Sequence, residues 1–151
     1  MHLPHVLPFA RTPVYFFTAC VAARKSILAC DNVHQILIEI WTKPAPLDGW
    51  FVGRYVLMPD HLHFFASPAA DAKPRAAWCK AWKSISSRRI IQSVGVPAPI
   101  WQPETFDHIL RSAESYAEKW AYVVANPVRA GLVREGETWP WQGEILSLKG
   151  G

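Results

Sequence analysis

The chain has little cysteine: Cys20, Cys30 and Cys79 are the only ones in 151 residues. Their odd number, wide spacing and lack of any Cys-x-x-Cys pair exclude a disulfide framework and a zinc knuckle, and fit buried thiols in a reducing compartment. Long apolar runs are missing as well. The stretch Val14–Ala23 is too short to cross a bilayer and ends at Arg24 and Lys25. Residues Met1–Arg11 hold His2, Pro4, His5 and Pro8 where a secretory leader would need a basic patch and an apolar segment, so none is expected. Internal repeats, low-complexity tracts and dividing linkers are also lacking, so the expectation is one domain over residues 1–151, cytoplasmic and without membrane attachment. Charged residues are few, at 19%, but the formal net charge is +4. That mild basic excess favours a polyanionic partner without establishing one.

Half of the residues are hydrophobic, enough to bury a core without covalent staples. Eight tryptophans contribute to it. Trp101, Trp139 and Trp141 stand near prolines in turn-like segments, and Trp78, Trp82 and Trp120 in helical patterns. Such rings can stack on unpaired bases, although core packing is their commoner use.

Hydrophobic periodicity orders the chain. Pro13 to Val21 is apolar and aromatic, at strand length. Asp31 and Asn32 offer N-caps to a helix with apolar positions at Val33, Ile36, Leu37 and Ile40. Phe51 to Met58 reads as a second strand, Pro59-Asp60 as a tight turn and His61 to Ser67 as a third strand. A helix follows over Pro74 to Gln92, broken by Pro97 and Pro99, and Trp101 to Leu110 contains a fourth strand. Ser112 or Ser115 caps a last helix that must end near Asn126-Pro127. Strand, helix, strand, strand, helix, strand is the order of the ferredoxin-like split βαβ fold. It implies an α+β protein with an antiparallel sheet, helices on one face and an extra C-terminal helix. That fold serves many functions and selects none.

Two constellations carry chemistry. In Tyr55-Val-Leu-Met-Pro-Asp-His61-Leu-His63, the histidines stand two apart on a strand and project from one face, which makes half of a metal site. Taken alone, a His-x-His is more often a hydrogen-bonded surface histidine beside a coincidental one. In Tyr122-Val-Val-Ala-Asn126-Pro127-Val-Arg129, the phenol and the amide lie one helical turn apart. Alone, Asn126 reads as a helix ending and Tyr122 as a core tyrosine.

Taken together and in order, three segments resemble the REP-associated tyrosine transposases, relatives of the single-tyrosine HUH transposases of small bacterial insertion sequences. They are Tyr-Val-Leu-Met-Pro-Asp-His-Leu-His, Trp-Gln-Pro-Glu-Thr-Phe-Asp-His-Ile-Leu-Arg and Tyr-Val-Val-Ala-Asn-Pro-Val-Arg-Ala-Gly-Leu-Val. The resemblance runs from about Val14 to Val133. It implies that His61 and His63 ligate a divalent metal, Mg²⁺ or Mn²⁺, with Asn126 as the polar ligand, and that Tyr122 is the nucleophile. Tyr116 is the rival nucleophile but has Trp120, not a polar group, one turn on. The implied activity is cleavage and rejoining of single-stranded DNA at hairpin-associated sites, through a 5′-phosphotyrosine. Such a protein is expected to be nucleoid-associated, as a monomer or homodimer. Lys80, Lys83, Arg88, Arg89 and Arg129 are candidate DNA contacts. Two other readings are a DNA-hairpin-binding protein that no longer transposes and a metal-dependent phosphodiester hydrolase in which water attacks.

Overall fold

A computed structural model describes residues 13–43 and 45–148. Strand β1 (Val14–Val21) leads to helix α1 (Asp31–Trp41), then to β2 (Trp50–Leu57) and β3 (His61–Pro68). Helix α2 (Arg75–Val94), β4 (Trp101–Leu110), helix α3 (Ala113–Val124), the short α4 (Asn126–Arg129) and β5 (Gln142–Glu144) complete the order. The strands form one sheet, β4-β1-β3-β2-β5, with every pairing antiparallel. This is the expected α+β split βαβ arrangement, with a fifth strand added at the β2 edge.

Alternation along the strands divides the interior in two. Phe17, Phe64 and Tyr55 point to one face, where α1 and α2 bring Leu37, Ile40, Trp78 and Trp82 against them. Trp78 and Trp82 are wholly buried, so core packing is their use. Phe16, Val56 and Phe65 point to the other face and meet Tyr116 and Val123 of α3, with Trp139 and Leu148 from the C-terminal segment. The two helices expected on one face are there, and α3 lies alone across the sheet from them.

Local chemistry sets the boundaries. Helix α1 starts at Asp31, the first of the two expected caps, so that Cys30 takes the N-cap position one residue earlier. Asp31 is the first helical residue, and its carboxylate accepts from the Trp141 indole at 3.1 Å. Ser112 caps α3, its hydroxyl accepting from the Ser115 backbone N–H. The chain turns off α3 at Ala125, before the Asn126-Pro127 step. The fifth strand had no sequence signal beyond Trp139 and Trp141. The Trp139 indole donates to the Leu57 carbonyl at 2.9 Å and the Leu57 N–H donates to the Trp141 carbonyl at 2.8 Å, which anchors that segment beside β2.

Candidate active site

The Met58–His61 turn starts β3 so that His61, His63 and Phe65 face α3. The imidazole centroids of His61 and His63 lie 4.8 Å apart with planes nearly perpendicular. Each ring is held through its inner nitrogen. His61 Nδ1 is 2.8 Å from Asp60 Oδ1, and a carboxylate can only accept, so Nδ1 carries the proton. His63 Nδ1 meets the Thr18 hydroxyl at 2.9 Å. Among the described residues neither outer nitrogen has a hydrogen-bond partner. An inner-nitrogen anchor with a bare outer nitrogen is the arrangement by which metal-ligating histidines are oriented.

Electrostatics support the neutral form of the deeper ring. Burial, reinforced by the neighbouring His61 and Lys119, pushes the His63 imidazole down to about 3. It also stacks on Phe16, with centroids 5.3 Å apart. Burial works to raise the Asp60 carboxyl, but hydrogen bonds from His61 and Arg24 outweigh it and hold Asp60 below its ordinary value. Arg24 Nε donates to Asp60 Oδ2 at 3.1 Å from a backbone with φ of 52°. A non-glycine residue in that left-handed region costs about 1–2 kcal/mol, and here it aims a guanidinium at the carboxylate that orients His61.

Helix α3 separates its two tyrosines. Tyr116 is fully buried, with its ring 4.7 Å from Phe65. Burial pushes its phenol up to about 12, opposed by the Arg54 backbone N–H, whose approach falls short of hydrogen-bond geometry, so the hydroxyl has no partner among the described residues. Tyr122 is 62% exposed. The Arg129 guanidinium sits 4.0 Å over its ring, and donates to the Tyr122 carbonyl at 2.7 Å and to the Asn126 amide oxygen. Because the helix breaks at this step, the Tyr122 carbonyl gains a guanidinium partner. The Asn126 oxygen keeps a second lone pair for another partner. Lys119, one turn before Tyr122, places its ammonium 5.1 Å from the Phe16 centroid and 6.0 Å from that of Tyr122.

The sequence-derived residues fall into two groups. The structure brings His61 with His63, and Tyr122 with Asn126 and Arg129, all associated with the α3 side of the sheet. No hydrogen bond joins Asn126 to either imidazole among the described residues. Nor do those residues assemble three or more His, Cys, Asp or Glu around one metal position. The donor set of two outer imidazole nitrogens and a separate amide nonetheless fits a divalent ion with open coordination positions.

Lys80, Lys83, Arg88 and Arg89 are all on α2, which packs on the opposite face. Lys83 is 9% exposed, and its ammonium donates to the carbonyls of Gln102 and Glu104, each at 3.0 Å. Arg88 bonds Ser84, and Arg89 bonds Glu39. Lys80 lines a cleft of about 900 Å³ between α2 and β4, on that same remote side.

Sequence reading missed Thr18, Arg24, Asp60 and Lys119 as members of the site. Asp60 had a signal, its place inside Pro-Asp-His-Leu-His, whereas Thr18 owes its place only to the β1–β3 register.

No family model matches the chain. A REP-associated tyrosine transposase of Escherichia coli (strain K12) is 25% identical over 132 residues, covering 84% of this chain and 73% of the relative. A solved REP-associated tyrosine transposase bound to a REP hairpin superposes with a TM-score of 0.65 at 20% identity, covering 94% of this chain and 81% of that one. A structure described as a putative transposase from Deinococcus radiodurans R1 gives 0.57 at 20% identity, covering 82% and 94%. In sequence and in fold, the chain is similar to the REP-associated tyrosine transposases, the family its motifs resemble.

Proposed function

We infer that this chain is a transposase that cuts and rejoins single-stranded DNA at hairpin-associated sites, using Tyr122 as nucleophile and a divalent ion at His61 and His63. One observation carries the reading: two imidazoles anchored by their inner nitrogens face the side of the sheet on which α3 exposes Tyr122 and buries Tyr116.

His61, His63 and the Asn126 amide would hold the ion, Mg²⁺ or Mn²⁺. When bound it supplies charge stabilisation to the scissile phosphate. The protein's own contribution is orientation. Asp60 and Thr18 fix the rings, Arg24 fixes Asp60, and Arg129 fixes the end of α3 that carries the nucleophile. The Tyr122 oxygen attacks phosphorus as its proton passes to solvent. The bond from phosphorus to the 3′ oxygen breaks, and that oxygen takes up a proton. The products are a 5′-phosphotyrosine and a free 3′-hydroxyl. One phosphoester replaces another, so a second 3′-hydroxyl can reverse the step without ATP.

The test is incubation of the protein and its Tyr122→Phe variant with labelled hairpin DNA bearing a single-stranded flank, followed by a denaturing gel. A protein-linked band with wild type and none with the variant is expected. Cleavage without any adduct would establish attack by water, and binding without cleavage would establish a protein that no longer transposes.

A further inference from the structure

Strand β4 is one edge of the sheet and its most exposed strand. Phe106, in its middle, is 57% exposed. The register decides which way its ring points. Phe106 pairs with Thr18, and Thr18 pairs with His63. Directly opposed residues share a face, so Phe106, Thr18 and His63 form one row on the α3 side, with Phe106 about 10 Å, or two strand spacings, from the histidine. The next row is His108, Phe16 and Phe65. Phe16 and Phe65 are covered, while His108 is exposed.

Beside His108 runs a cleft of about 410 Å³ between β4 and α3, lined by His108, Arg111, Lys119 and Tyr122 among others. Arg111, Lys119 and the exposed phenol border this cleft, with Glu118 as its one acidic lining residue. Phe106 lies just outside it, two residues from His108 on β4 and on the same face, so its open ring continues the cleft along the strand. Their chemistry selects the occupant. A π-face accepts any base that is free to stack, and lysine and arginine accept backbone phosphates. A duplex keeps its base faces inside its own stack and has none to offer Phe106. Single-stranded DNA satisfies both requirements.

We propose that the β4–α3 cleft carries the unpaired strand beside the cleaved phosphate, with one base stacked on Phe106 and one backbone phosphate held by Lys119. The position of the cut within that strand rests on the reading of Tyr122 given above, whereas the binding surface does not.

Fluorescence anisotropy with a labelled oligothymidine, titrated at several salt concentrations, tests it directly. Phe106→Ala should weaken binding about 5- to 150-fold, the span expected of one stacked base. Phe106→Leu, which keeps apolar bulk on the edge strand, should also weaken it, and Phe106→Trp should bind at least as tightly as wild type. Lys119→Gln should reduce the log–log salt slope by about 0.7, one phosphate on a single strand, and Lys119→Arg should restore it. Arg88→Gln, across the sheet, should leave the slope unchanged. Wild-type affinity in both Phe106→Leu and a folded Phe106→Ala overturns the stacking site, and an unchanged slope in Lys119→Gln overturns the phosphate site. If Tyr122 forms no adduct while Phe106 and Lys119 still govern binding, the nucleophile assignment falls and the surface stands. An adduct at Tyr122 with binding indifferent to both residues does the reverse.

Discussion

At the scale of single residues, burial assigns different tasks to like side chains. Tyr116 and Tyr122 share α3, but one phenol is sealed against Phe65 and the other faces solvent. Tyr122→Phe is therefore expected to abolish covalent capture of DNA while binding persists. Tyr116→Phe should retain capture and melt at the same temperature or higher, because it removes a buried hydroxyl without a partner, a liability of about 1 kcal/mol or more. A denaturing gel and a thermal melt on each variant check both expectations. An adduct only in the Tyr122→Phe lane would transfer the role to Tyr116. The histidines differ in the same way. His61→Ala and His63→Ala should both lose cleavage and still fold. His63→Ala should melt lower, since it removes a ring that packs on Phe16 and bonds Thr18, and deletion of well-packed side-chain atoms costs about 2–5 kcal/mol at the upper end. Equal melting temperatures with wild-type cleavage would remove His63 from the site.

At the scale of elements, α2 acts as a brace. The buried ammonium of Lys83 ties the helix to the first residues of β4 through backbone carbonyls. Burial lowers its proton affinity, partly offset by Cys79, Cys20 and Glu104, so the protein maintains this charge against a desolvation cost. Lys83→Met keeps much of the stem but strips those carbonyls of their donor. It should destabilise the fold by about 1.5–3 kcal/mol, the range for hydrogen bonds to charged groups, and leave the salt dependence of DNA binding intact. Chemical denaturation measures the first and anisotropy the second. A fallen salt slope in a stable Lys83→Met protein would make Lys83 a DNA contact after all. The Trp101 indole, which donates to buried Ser86 at 2.9 Å, joins the same two elements. Both links hold in place the edge strand that presents Phe106 and His108.

For the whole molecule, the sheet divides labour between its faces. One face, under α1 and α2, is packed with Phe17, Phe64, Trp78 and Trp82 and serves stability. The other is half covered by α3, with the histidine pair partly exposed and Lys119 and Tyr122 lining an open cleft. Cleavage and binding should therefore separate. Chelation of divalent ions should stop adduct formation, and Mg²⁺ or Mn²⁺ should restore it, while anisotropy still records hairpin binding through lysine and arginine contacts. Adduct formation at an undiminished rate in metal-free protein would sink the ion's role at His61 and His63.

Much of this was determined by the sequence alone. Strand geometry has a period of two, so His61 and His63 must share a face wherever β3 lies. Proline is excluded from a helix interior and tolerated only in a first turn, so Pro127 had to interrupt the helix capped by Ser112, and it opens α4 instead. The order of apolar runs was enough for the split βαβ fold. Other features were decided only when distant segments met. Thr18 reaches His63 through the pairing of strands far apart in the chain, and Arg24 reaches Asp60 across a loop. Lys83 looked like a surface cation because its helical spacing carries no information about β4, whose carbonyls claim it. Tyr116 and Tyr122 are the same residue type on the same helix, and only the angle at which α3 meets Phe65 decides which one is buried. Backbone periodicity is local and therefore legible in the sequence. Burial and hydrogen-bond partnership depend on which faces touch, and the tertiary structure alone supplies that.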